Sequence, residues 1–126
     1  MSDDPYARVR QQCVDAINGY RAKVSAPAVT RDVSKEACGD GQGKADAAIF
    51  RAHGAFGQCN EAAQCECPGY PSPIADSLST CLQQMFDEGP GGGHYDIMTS
   101  RNYHSVSCGF FRVEGTDEVW MTMDYR

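Results

Sequence analysis

The chain has 126 residues, with 22% charged and 41% hydrophobic side chains, a balance that excludes a disordered tail. No apolar run approaches the roughly 20 residues that cross a bilayer. Seventeen acidic against 11 basic residues give a net charge of −6, which excludes a nucleic-acid partner, because affinity for phosphate backbones comes from clustered cations. The length fits one domain over residues 1–126.

Residues 5–23 read as the first helix. Val9, Cys13, Ala16, Ile17 and Tyr20 recur at helical spacing on one face, Pro5 suits the first turn, and Ala26-Pro27 closes the segment. A short β-prone stretch follows at Ala28 to Thr30. A second helix is expected to start at a cap, Asp32 or Ser34, and to run to Ala52, burying Ala37, Ala45, Ala48, Ile49 and Ala52. Gly39, Gly41 and Gly43 predict a weak or bent middle; they lack the spacing of a phosphate cradle and read as small residues for close helix packing. Residues 53–72 read as loop. Residues 73–87 form a third helix with Ile74, Leu78, Cys81, Leu82, Met85 and Phe86 on one side, ended by Gly89-Pro90-Gly91-Gly92-Gly93. Residues 105–111 and 119–123 are β-prone and flank a turn at Glu114 to Asp117. Helices followed by strands make an α+β order rather than a doubly wound one.

Seven cysteines stand out: Cys13, Cys38, Cys59, Cys65, Cys67, Cys81 and Cys108. No C-x-x-C pair is present, so an exported disulfide framework is expected, with one thiol left over. A Cys59–Cys67 staple is expected, with Cys65 free and Cys13, Cys38, Cys81 and Cys108 tying helices to each other or to strands. A thiol redox or metal module at Cys59, Cys65 and Cys67 is the competing reading. The opening Met1-Ser2-Asp3-Asp4 is acidic where a leader would be basic, so the chain reads as a mature or trimmed form with an added start. Of the three histidines, His104 reads as solvated. His94, beyond the glycine run, is placed to meet Glu88 as a structural pair or as a metal or proton-transfer site.

Several segments in order then acquire a common meaning. Gly93-His94-Tyr95 followed by Ser105-Val106-Ser107-Cys108-Gly109 resembles the G-H-Y and V-G-C-G signature of CAP-domain (SCP-like) proteins, the group of cysteine-rich secretory, plant pathogenesis-related and venom-allergen proteins. Asn18-Gly19-Tyr20-Arg21 is similar to the N-x-Y-R of that family's first helix, Met85 to Glu88 to its W-Y-x-E, Gly54 to Gln58 to its G-x-(F/L)-S-H, and Trp120 to Tyr125 to its last strand.

The resemblance implies a three-layer α-β-α sandwich with a central antiparallel sheet, disulfide-stapled, secreted or extracytoplasmic, here of a divergent bacterial type. It also implies a cleft whose two histidines and two glutamates bind a divalent metal, often zinc. His94 takes the place of the second histidine and Glu88 of the second glutamate; Gln58 replaces the first histidine, His53 being a less well-framed substitute, and no G-E-N motif supplies the first glutamate. With this partial tetrad no cofactor and weak or absent metal are expected, and Gln58, Glu88, His94 and Tyr95 are the cleft candidates. The leading expectation is a monomeric, non-catalytic binding module for a small hydrophobic ligand, such as a lipid or sterol, or for a protein. The alternative is a hydrolase or metal-dependent enzyme using Glu88 and His94 as base pair and Gln58 as oxyanion donor.

Overall fold

The computed structural model describes residues 3–126; Met1-Ser2, read above as an added start, lies outside the described residues. Helix α1 spans Ala7–Lys23, strand β1 Thr30–Arg31, a 3₁₀ turn Val33–Lys35, helix α2 Glu36–Ile49, and strand β2 Ala63–Tyr70. Helix α3 covers Ile74–Asp87, α4 Gly93–Thr99, β3 Ser105–Arg112 and β4 Val119–Tyr125. The sheet order is β1-β3-β4-β2; all pairs are antiparallel except β1 with β3. Helices α1, α3 and α4 cluster over one face and α2 lies on β3 and β4 from the other, so the three-layer α-β-α sandwich is the observed architecture.

The two faces of the sheet differ in chemistry because strand side chains alternate. Cys65, Cys67, Val106, Cys108, Phe110, Met121, Met123 and Tyr125 join Ile17, Leu78, Leu82 and Met98 in the apolar core. The opposite face carries Gln64, Glu66, Ser107, Gly109, Thr122 and Asp124. This inverts the expectation for α2. Its buried residues are Glu36, Gly39, Gln42, Gly43, Asp46 and Ala47, whereas Ala37, Ala45 and Ala48 face solvent and Ile49 is 60% exposed. An apolar periodicity fails here because the helix docks on a polar layer. The helix runs unbroken through Gly39, Gly41 and Gly43. A Cβ on Gly39 would lie 3.1 Å from Thr122 Oγ1, and one on Gly109 only 2.3 Å from the Gly39 carbonyl carbon, so these glycines bring helix and sheet backbones together.

Neither expected cap serves α2, since Ser34 Oγ donates to Asp32 Oδ1 and the helix begins at Glu36. It ends three residues early, with Phe50 left-handed at φ 50°.

Strand β2 corrects the loop reading of residues 53–72, and helix α4 is an element the sequence patterns did not predict. In β2, Gln64 and Glu66 are buried, so polarity marked one covered face of a strand rather than a loop. The glycine run closes α3 and then opens α4 at Gly93.

The bridges are Cys13–Cys108, Cys38–Cys59 and Cys67–Cys81, with Cys65 free and buried. The Cys59–Cys67 staple is corrected: β2 turns Cys67 towards α3, while Cys59 meets α2. Beyond the short β1, the open edge of β3 is closed by side chains. Arg10 Nη1 donates to the Cys108 carbonyl (3.1 Å), Asp40 Oδ1 accepts from Phe110 N–H (2.7 Å), and Arg10 and Asp40 pair at 2.7 Å. This ion pair occupies the hydrogen-bonding groups a further strand would use.

Candidate cleft around Glu88 and His94

The end of α3, the glycine run and the start of α4 fold back on one another. Glu88 follows α3, and the next helix begins five residues later. Its Oε1 accepts from the backbone N–H of His94 (2.9 Å) and Tyr95 (3.3 Å), and His94 Nδ1 donates to Oε2 (2.6 Å). A carboxylate from the preceding helix thus caps the free amides of α4. Gly92 is required by this fold-back: a Cβ there would sit 2.4 Å from Glu88 Cβ. The hydrogen bond from His94 chiefly, with the two backbone amides and the imidazole charge, holds the Glu88 carboxyl below its ordinary range against the opposing effect of burial.

Glu88 and His94 line a cavity of about 170 Å³ with Glu66, Pro68, Tyr70, Cys81, Gln84 and Met85. Two predicted cleft residues are therefore brought together. Tyr95 sits beside them, its ring 5.3 Å from Phe86, which in turn stacks on Tyr20 at 4.8 Å. Gln58 is not among the lining residues; it is exposed in the loop before β2. The Gln58 carbonyl lies 3.8 Å from Cys38 Sγ of α2. Glu66 is the charged lining residue that the sequence candidates do not include; the alternation Ala63-Gln64-Cys65-Glu66-Cys67 is its signal.

The other histidines are elsewhere. His104 is exposed ahead of β3. His53, left-handed at φ 62°, donates from its backbone N–H to Glu66 Oε1 (2.7 Å) and from Nδ1 to Gln64 Oε1 (2.8 Å). Cys65 lies behind the cleft with Sγ donating to the His94 carbonyl at 3.8 Å, and burial chiefly, aided by the Glu88 charge, pushes its thiol up to about 12. A thiol so raised is a poor nucleophile and metal ligand. With Cys59 and Cys67 each bridged elsewhere, the thiol-module reading is withdrawn.

The zinc implied by the resemblance does not fit these donors. Both Glu88 oxygens are engaged by α4 and His94, and among the described residues no group of three or more His, Cys, Asp or Glu side chains is arranged to hold a metal ion. A zinc site needs at least three protein ligands.

The fold as a whole is CAP-like, or SCP-like, by its similarity to solved structures. Na-ASP-1 superposes with a TM-score of 0.64 at 14% identity, over 93% of this chain and 38% of that one. An extracellular protein containing an SCP domain from Bacillus anthracis str. Ames superposes with a TM-score of 0.57 at 12% identity, over 93% of this chain and 40% of that one. The chain spans about two fifths of the length of each. No sequence-family model and no curated protein sequence matches it.

The segments that carried the resemblance have structural work in this chain. Asn18 exchanges two hydrogen bonds with the Val29 backbone (3.0 and 2.8 Å). Arg21, buried, donates to the carbonyls of Pro27, Met98 and Ser100. Together they fix α1 to β1 and to the end of α4, which holds the cleft wall in place.

Proposed function

We propose that this chain is a secreted, non-catalytic, CAP-like interaction module whose Glu88–His94 cleft receives a single side chain of a peptide or protein partner. Cavity size carries this reading. About 170 Å³ is below the roughly 300–1,000 Å³ of pockets that enclose small-molecule ligands, which weighs against an enclosed sterol or fatty acid. Three disulfides in a chain of 126 residues support an oxidising, extracellular setting. The Glu88 carboxylate spends its oxygens on capping α4 and holding His94, which supports a shaping role over a base. The cleft is expected to bind divalent metal weakly or not at all.

The test is selection of peptides from a random library on immobilised protein, followed by binding to wild type and to Gln84→Trp, which fills the cleft from an exposed lining position. Selected peptides should lose at least tenfold in affinity for Gln84→Trp. Saturable one-to-one binding of palmitate or cholesterol, insensitive to Gln84→Trp, would overturn the proposal.

A further inference from the structure

A second constellation lies between α2 and the polar face of the sheet. Asp46 from α2, Glu61 from the loop before β2, Glu66 from β2 and Asp124 from β4 are all buried, with exposures of 0%, 7%, 4% and 0%. Gln64 Nε2 donates to Asp124 Oδ1 (2.8 Å) and to Gln42 Oε1 (3.1 Å), and Gln42 Nε2 donates to Glu61 Oε2. Asp46 and Glu66 lie within hydrogen-bonding reach of each other, as do Asp124 and Glu61. Yet Asp46 Oδ2, Glu66 Oε2 and Asp124 Oδ2 have no donor if every carboxyl is ionised. Buried polar oxygens are rarely left unpaired, and two carboxyls can bond only when one carries a proton.

The same groups hold the loop at residues 51–58. Glu66 Oε1 accepts from His53 N–H, Asp46 Oδ1 from Ala55 N–H (2.8 Å), and Gln42 Nε2 donates to the Ala55 carbonyl (3.2 Å). Beyond it, Glu61 Oε1 accepts from Cys59 N–H (3.3 Å). The loop is bounded by Phe50, left-handed and 79% exposed, and by Cys59, tethered to α2 by its disulfide. With α4 it lines an open groove formed by His53, Phe56, Ala62, Ala63, Gln64 and Ile97.

We propose that this loop is held in place by protons: while Glu66 presents a proton to Asp46, and Asp124 one to Glu61, the carboxyl layer clamps the loop amides, and loss of those protons frees the loop between its hinge at Phe50 and its tether at Cys59. The charged and titratable groups facing the layer are Asp46 from α2, His53 and Glu61 from the loop segment, Glu66 from β2, Asp124 from β4 and Arg126 at the C-terminus; β3 contributes the neutral Ser107, which accepts from Arg126. Arg126 also pairs with Asp32 at 3.4 Å and donates to the Cys59 carbonyl, so this cation is divided among several acceptors. Burial first, then the Asp46 hydrogen bond and the charges of Asp46 and Asp124, outweigh the His53 amide and raise Glu66 to about 8. Burial first, then Glu61, raise Asp124 to about 7 against Gln64 and Arg126. Ionisation crowds negative charge into one dry layer. The sheet is fixed on both sides of Glu66, so the strain is relieved through the loop, which has the least cover. The inference shares Glu66 with the cleft but is read on another observable, the exchange of the loop amides, so either can fail alone.

The experiment is amide hydrogen exchange of the intact protein from pH 5 to 9, each rate corrected for intrinsic base catalysis. Protection at His53, Ala55 and Cys59 should fall at least tenfold between about pH 7 and 9, while Cys108 and Met123 in the sheet keep theirs. Glu66→Gln, an isostere of the protonated acid, should preserve loop protection to pH 9, as should Asp46→Asn, which serves if the first variant folds poorly. Loop protection that stays flat to pH 9 in wild type, or variants that lose it with the wild-type midpoint, would overturn the proposal.

Discussion

Replacing Gly109 by alanine should separate α2 from the sheet. The added Cβ would stand 2.3 Å from the Gly39 carbonyl carbon, 2.6 Å from Asp40 N and 2.5 Å from Thr122 Oγ1. Two of these are backbone atoms and cannot rotate away, so the helix must lift by about 1 Å to reach ordinary contact distance. That movement strains Thr122 Oγ1 to Gly39 O (3.0 Å), Phe110 N to Asp40 Oδ1 (2.7 Å) and the Arg10–Asp40 pair. Three bonds at about 1 kcal/mol each, with overpacking of about 1–3 kcal/mol, give a loss of roughly 4–6 kcal/mol. At roughly 4 °C per kcal/mol for a domain of this size, the melting temperature should drop by about 15–25 °C. Gly41→Ala is the internal control: nothing lies within 4 Å of its Cβ. It should gain up to about 1 kcal/mol of helix propensity. Urea denaturation of both variants followed by circular dichroism checks the pair. A Gly109→Ala variant within about 1 kcal/mol of wild type would refute the close approach of helix and sheet.

Replacing Cys13 and Cys108 together by alanine opens a loop with a sequence separation of 95 and should cost up to about 4.7 kcal/mol by chain entropy, against about 3 kcal/mol for the Cys67–Cys81 pair, measured by urea denaturation. Because Glu66 and Asp124 are raised in the folded chain, their contribution to stability is complete below the ordinary carboxylate range and fades as pH rises through about 7 and about 8; urea midpoints across that range should decline, less so in Glu66→Gln. Glu88 is lowered instead, so its contribution is present above the ordinary range and lost as pH falls through its depressed value; being exposed, it should cost less than about 1 kcal/mol on Glu88→Gln, and His94→Gln about 1–2 kcal/mol. Calorimetry with zinc should find weak or no binding to wild type and no gain for Gln58→His, because Gln58 does not line the cleft; tight stoichiometric binding abolished by His94→Ala would contradict this.

The parts of the fold legible in sequence were those governed by apolar periodicity or by turn chemistry. Helices α1 and α3 and the strand pair β3–β4 follow from runs such as Ile74, Leu78, Leu82 and Met85 that face the apolar core. Helix α2 was found, but with the wrong face inward, because glycine and polar residues dock it on Thr122 and Asp124. The same polar layer concealed β2, whose Gln64 and Glu66 look solvated until their partners on α2 and the loop are known. At the cleft, the short span from Glu88 to His94 made their meeting readable. The place of Glu66 depends on strand pairing between segments about 60 residues apart, such as Gln64 with Asp124, which local pattern does not encode. Disulfide partners are likewise a tertiary property: Cys59 and Cys67 are near in sequence, yet Cys59 precedes β2 and bonds to α2, while Cys67 lies within β2 and bonds to α3.

In the proposed role, Glu88 and His94 shape a binding cleft without performing chemistry. One ¹H–¹⁵N titration of wild-type protein with a library-selected peptide tests both halves, since the same sample reports contact and turnover. The account predicts shifts at Tyr70, Gln84, Glu88 and His94 and an intact peptide at the end of the titration. Cleavage of the peptide by wild type, absent in His94→Gln, would contradict it.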